Sequence, residues 1–177
     1  CRFMEDKNVD ILIKSFSIVS KKIKNAVLVM VGEGFLEAEL KQLAHHLGIS
    51  KNVIFTGKIP EENLNMPFAS ADLFVLPSLL ETQGLAVLEA MASGKPLLVT
   101  KSKNNAATEL LVEGKNGYTF KPNNKYDLAS KIIRLLKDKD LRLKMGKYNL
   151  AYIKSHDINK SIDKIENLYR DMIKNTK

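Results

Sequence analysis

Apolar positions along this 177-residue chain follow two periods that alternate. Short apolar runs, "AVLVMV" (26–31), "NVIFTG" (52–57), "DLFVLPS" (72–78), "PLLVT" (96–100) and "GYTFKP" (117–122), have the length and residue types of strands. Between them the apolar residues recur every three or four positions. Val9, Leu12, Ile13, Phe16 and Val19 mark one helix face, and Leu36, Leu40, Leu43, Ala44 and Leu47 mark another. Gly48 follows the second, where a left-handed residue would close it. Shorter helices are predicted over 61–70, 84–93 and 105–113. Strands alternating with amphipathic helices predict an α/β fold, a parallel sheet covered by helices.

After Pro122 the strand pattern stops, and helices are predicted over 126–137, 140–153 and about 158–174. Ile158, Ile162, Ile165, Leu168 and Met172 form one seam on the last, so it must pack on something. The expectation is that it lies back on its own domain; the alternative is a membrane surface or a partner. No linker or repeat divides the chain, and a single domain over 1–177 is expected. The opening "CRFMEDKNVD" reads as an exposed turn where the topology calls for a central strand just before Cys1. The chain is therefore expected to be part of a longer one.

With 45% hydrophobic and 27% charged residues, the composition is that of an ordinary globular protein. A chain of this length can bury roughly 70% of its unfolded surface. Its longest apolar runs fall far short of the ~20 residues of a membrane span, and no secretory h-region opens it. Cys1 is the only cysteine, which excludes a disulfide framework or a thiolate metal cluster and suits a reducing cytoplasm. The formal charge of +8 favours anionic partners such as nucleotides, phosphosugars or acidic lipid headgroups. Nucleic acid is not expected, because the lysines are scattered and no aromatics interleave with arginine.

Ligands of open parallel sheets bind beyond the carboxyl ends of the strands, so the loops there are the place to look for chemistry. After the first strand run, Gly32 and Gly34 allow a sharp turn that leaves amides bare for an anion, or simply a tight strand-to-helix connection. After the third comes "ETQGLAVLEAMASGKP" (81–96), where Gly84 opens a helix with the amides of Gln83, Gly84 and Leu85 unpaired. Glu81 lies just outside that helix and Glu89 a turn and a half inside it, beside Leu85, Leu88 and Ala92, which read as core. A carboxylate among such residues is costly unless something donates hydrogen bonds to it, as ribose hydroxyls would. Arg2 and Lys7, five apart in the opening turn, would add a fork and a point charge for phosphate oxygens. His45, His46 and His156 lie off the strand-end loops and read as ordinary surface residues.

Several stretches together resemble the carboxyl-terminal half of GT-B glycosyltransferases of the large retaining family four. "ETQGLAVLEAMASGKP" is similar to that family's E-x7-E signature, and "RFMEDKNVDILIKSF" to its Arg-then-Lys phosphate turn. "VGEGFLEAEL", "VIFTGKIP", "ADLFVLPS" and "NGYTFKPNN" follow in the family's order over about residues 1–150. The chain departs from the pattern at Cys1, where glycine is usual, and at "KSKNNAATELL" (101–111), which replaces a glycine-rich turn.

The resemblance implies a Rossmann-like domain that binds a nucleotide-sugar donor, UDP- or GDP-linked, and transfers the sugar with retention, without a metal or other cofactor. It implies that Arg2 and Lys7 hold the diphosphate, and that Glu89 accepts from the ribose. Glu81 with the backbone of Gln83, Gly84 and Leu85 would hold sugar hydroxyls and phosphate. Backbone at Lys58 and Ile59 would meet the base, with Gly32 close to the donor. The acceptor, a glycan or lipid-linked glycan, would sit on an amino-terminal half outside these residues, without which the chain should not turn over. The expected location is the cytoplasm, with peripheral contact on the inner face of an anionic membrane left open. The competing readings are an epimerase, hydrolase or phosphorylase of the same fold, and a non-enzymatic module for membrane or protein association.

Overall fold

A computed structural model describes residues 2–175. Cys1, including the departure noted there, and residues 176–177 lie outside the described residues. Helix α1 (Val9–Lys22) leads into strand β1 (Leu28–Val31), helix α2 (Glu37–His46) and strand β2 (Val53–Gly57). A 3-10 turn at Glu61–Asn63 precedes the short helix α3 (Asn65–Ser70) and strand β3 (Phe74–Leu76). Helix α4 (Leu85–Ala92), strand β4 (Leu97–Thr100), a 3-10 turn at Ala106–Leu110 and strand β5 (Gly117–Phe120) follow. Helices α5 (Lys125–Lys137), α6 (Lys139–Tyr152) and α7 (Ile158–Asn175) complete the chain.

All strand pairs are parallel, but the strands form two ladders, β1-β2 and β3-β4-β5, with none between β1 and β3 among the described residues. Just past the end of β1, Arg2 forms an isolated parallel bridge with Glu33. Alternation along β4 shows why both faces need helices: Leu98 joins the core beneath α1, α2 and α5, while Leu97 and Val99 join a second core under α4. The parallel sheet with helices on both faces is thus the one the sequence pattern predicts, in two pieces.

Helix α1 buries more than the single stripe expected of it. Ile11, Ser15 and Ser17 are buried along with Val9, Leu12, Ile13, Phe16 and Val19, because α1 is wedged between α2 and α5 and links the two ladders. Each fully buried aliphatic side chain of this kind contributes about 1.5–3 kcal/mol. The segment expected as a helix over 105–113 forms only the 3-10 turn. Helix α7 overturns the expectation that it lies back on this domain. Ile158, Ile162, Ile165, Leu168 and Met172 are all exposed, at 45–68%.

Candidate functional site

The carboxyl ends of the strands meet the opening turn along one rim. Phe3 N–H donates to Glu33 O at 2.9 Å, and a Cβ on Gly34 would lie 2.5 Å from the Phe3 backbone, so only glycine lets the 32–36 loop rest against residues 2–4. Gly32, at φ 129°, donates its N–H to Gly57 O at 3.0 Å. Leu36 and Glu37 N–H donate to Phe3 O and Gly34 O. The N–H groups of Gly32, Leu36 and Glu37 are therefore engaged, in keeping with the tight strand-to-helix connection, and Gly34 serves close packing. Arg2 is exposed beside this loop and pairs with no carboxylate among the described residues.

The 3-10 turn Glu5–Lys7 ends on Asn8 in the left-handed region, φ 50° and ψ 40°. That reversal starts α1 and leaves Lys7 facing the loop after β3. There Lys7 Nζ donates to Glu81 Oε2 at 3.4 Å, with both side chains about one-fifth exposed, and lies 3.6 Å from Asp6 Oδ2. Lys7 and Glu81 form one unit. Asn8, only 7% exposed, is a residue that reading for charges and glycines missed. The available signal was that asparagine tolerates this backbone better than other non-glycine residues.

Gly84 opens α4 at φ 68° with no side-chain cap. The amides of Gln83, Gly84 and Leu85 have no acceptor among the described residues, and their partial positive charge is reinforced by the helix dipole. Helix α4 buries Val87, Ala90 and Met91. Leu85 is 60% exposed, and Glu89 and Ala92 are exposed too. This corrects the reading of Leu85 and Ala92 as core, while Leu88 is partly buried against the core under α4; Glu89 stands on an open face. Partial burial of its carboxyl still raises its pKa above the ordinary value, and Glu61 nearby raises it further.

Glu61 follows closely on Lys58 and Ile59, so Glu89 and the loop after β2 share one neighbourhood. Lys58 is exposed, and Ile59 lines a hollow of about 410 Å³ with Val29, Met66 and Pro67. The structure thus joins Lys7 to Glu81, close in sequence to the bare amides that open α4, while Glu89 lies within electrostatic reach of Glu61. No hydrogen bond or ion pair links the two glutamates directly among the described residues, and the rim is open. A larger hollow of about 640 Å³, between α1 and residues 122–126, contains none of the candidate residues. His45, His46 and His156 are exposed and away from the rim. No three His, Cys, Asp or Glu side chains cluster as metal ligands do among the described residues, and no helix there is long and apolar enough to cross a membrane.

Comparison with known proteins places this rim in context. The model of the family "Glycosyl transferases group 1" matches residues 1–151. A sulfoquinovosyl transferase of Arabidopsis thaliana, SQD2, is 32% identical over 152 residues, covering 84% of this chain and 29% of its own length. N-acetyl-alpha-D-glucosaminyl L-malate synthase of Bacillus anthracis is 30% identical over 176 residues, 99% of this chain and 45% of its own. The chain spans less than half the length of these curated relatives. Among solved structures, Anabaena Alr3699/HepE in complex with UDP superposes with a TM-score of 0.87 at 25% identity, covering 97% of this chain and 47% of that one. The fold is that of GT-B carboxyl-terminal domains.

Proposed function

The chain belongs to the glycosyl transferases group 1 family, and on that footing we propose that it is the donor-binding half of an enzyme that transfers a sugar from a nucleoside diphosphate with retention of configuration. The observation that carries this reading is the Lys7–Glu81 pair beside the uncapped start of α4, with Glu89 on the open face of the same helix. Arg2, Lys7 and the amides of Gln83, Gly84 and Leu85 grip the diphosphate; Glu81 accepts from sugar hydroxyls, Glu89 from the ribose, and backbone at Lys58 and Ile59 meets the base.

In the reaction the bond from the anomeric carbon to the diphosphate oxygen breaks, and the acceptor oxygen bonds to that carbon on the same face. The acceptor proton leaves with the departing phosphate. Charge develops on that phosphate, where two cations and fixed amides stabilise it most without a metal ion. Lys7 is held by Glu81 before the donor arrives, so little reorganisation is needed. The acceptor, a glycan or lipid-linked glycan, binds the part of the protein outside this chain; this chain alone binds donor weakly at best and does not turn over. The exposed seam of α7 and the basic surplus are where peripheral contact with an anionic membrane would fall.

The test is calorimetric titration of the full-length enzyme with UDP and GDP, repeated with Glu89→Ala and Lys7→Ala. Each substitution is expected to weaken binding of the preferred nucleotide about tenfold or more, the loss of one charge-assisted contact. Undiminished binding in both variants would remove the site.

A further inference from the structure

Glu81 lies on a loop, residues 77–84, that has no regular structure of its own and must be held from outside. Besides the Lys7 bond to the Glu81 carboxylate, five hydrogen bonds do this. One comes from the opening turn, Leu79 N–H to Asp6 O at 2.9 Å. The other four come from residues 102–106, the stretch that stands where a glycine-rich turn was expected. Glu81 N–H donates to Asn104 O at 3.0 Å, and Ala106 N–H donates to Glu81 O at 2.8 Å. Ser102 Oγ donates to Leu79 O at 2.7 Å, and Asn105 Nδ2 donates to Ser78 O at 2.9 Å.

Asn105 is the keystone of that stretch. It is 2% exposed, its Nδ2 also reaches Thr100 O at 3.4 Å at the end of β4, and its Oδ1 accepts from Ala107 N–H at 3.1 Å. One amide group therefore ties a strand end, the Glu81 loop and the following 3-10 turn together. Ala107 in turn lies against Gly84: a Cβ there would be 2.9 Å from the Ala107 Cβ. Glycines at 105 and 106 would leave all of this to the backbone.

We infer that Asn105 is a positioning residue, whose buried amide fixes the Glu81 carboxylate against Lys7 and the start of α4 in the geometry that sugar transfer needs. It touches neither donor nor acceptor. The inference rests on the role given above to Glu81, through which Asn105 acts. A side chain displaced by about 1 Å at such a site can cost on the order of a hundredfold in rate.

The experiment is a double-mutant cycle in the full-length enzyme. Release of labelled sugar from a panel of UDP- and GDP-hexoses is measured for Asn105→Ala, Glu81→Gln and the pair, with nucleotide affinity and thermal melting alongside. Asn105→Ala is expected to lower kcat about ten- to a hundredfold, with KM for the donor and nucleotide affinity changed less than about threefold. In the Glu81→Gln background the same substitution should lower kcat less than about twofold, while the melting temperature falls equally in both. An equal fall in kcat in both backgrounds, or no fall in either, overturns the inference. Should Asn105→Ala fail to fold, Ser102→Ala removes a second tether from a more exposed position. It is expected to lower kcat a few-fold, again only while Glu81 is present; an unchanged kcat overturns the inference. If Glu81→Gln alone leaves full activity, the functional reading itself fails and the inference with it; activity lost on Glu81→Gln but not on Asn105→Ala overturns only the inference.

Discussion

Helices α4 and α5 both follow a strand end on the same rim, yet their first turns are built in opposite ways. At α5 the Asn124 side chain accepts from Tyr126 and Asp127 N–H at 3.1 and 3.0 Å. Asp127 then accepts from Lys121 N–H and Lys131 Nζ, both at 2.7 Å. The Tyr126 and Asp127 amides and the Asp127 carboxylate all have partners within the protein. At α4 the corresponding position is Gly84, with no side chain to accept anything, and the amides around it remain bare. Helix ends are normally satisfied by capping side chains. The protein satisfies the end of α5 and leaves unsatisfied the end where the proposed diphosphate site lies.

The largest expected effect comes from closing that difference at Gly84. Gly84→Ala forces a Cβ into a left-handed backbone and against Ala107, and should cost about 1–3 kcal/mol of stability in a denaturant melt. Nucleotide affinity in the full-length enzyme should fall on the order of tenfold as the amides tilt. Retained affinity at full stability would mean that the bare turn is not the anion site. The converse substitution at α5 sharpens the contrast. Asn124→Ala should cost about 1 kcal/mol, as lost caps do, and leave nucleotide affinity where it was.

The smallest effects are in the response to pH, where the two helices carry opposite signs. Burial alone would raise the pKa of Asp127, but its bonds to Lys131 and Lys121 outweigh it and hold the carboxyl below the ordinary value. Its contribution to stability is therefore complete above the ordinary carboxylate range and is lost as pH falls through the lowered value. Glu89 is raised, so its folded form prefers the proton, and the ionised carboxylate works slightly against the fold at neutral pH. Glu89→Gln should leave the neutral-pH melting temperature the same or higher. Nucleotide affinity should decline with acidification from a higher pH than an ordinary glutamate would give, and this decline should vanish in the glutamine variant. A Glu89→Gln protein that melts lower at neutral pH would break the contrast.

Much of this was legible in residue order, for physical reasons that differ by element. The strand runs and the α1 and α2 stripes are periodic, and period is what burial selects. The exposure of the Leu85–Glu89–Ala92 face was not legible, because apolar residues on a helix face look alike whether they meet a core or an open rim. The break between β1 and β3 falls beside residues 2–8, next to the place where a central strand was expected, although its position between these two strands is not a property of either strand's own sequence. Lys7 and Glu81 could each be singled out from their local chemistry, but their meeting depends on Asn8 and on residues 102–106, which bear on it only through backbone geometry. Asn105 drew no notice as one polar residue in a polar loop, and only its burial and its bonds single it out.

Residues 2–8 touch both halves of the sheet: at one end they pair with Glu33 beside β1, and at the other Asp6 and Lys7 hold the loop after β3. That short strap spans a seam that no ladder crosses among the described residues, and it carries both candidate cations. A diphosphate held by both cations would therefore depend on one short stretch of backbone whose two ends answer to different ladders.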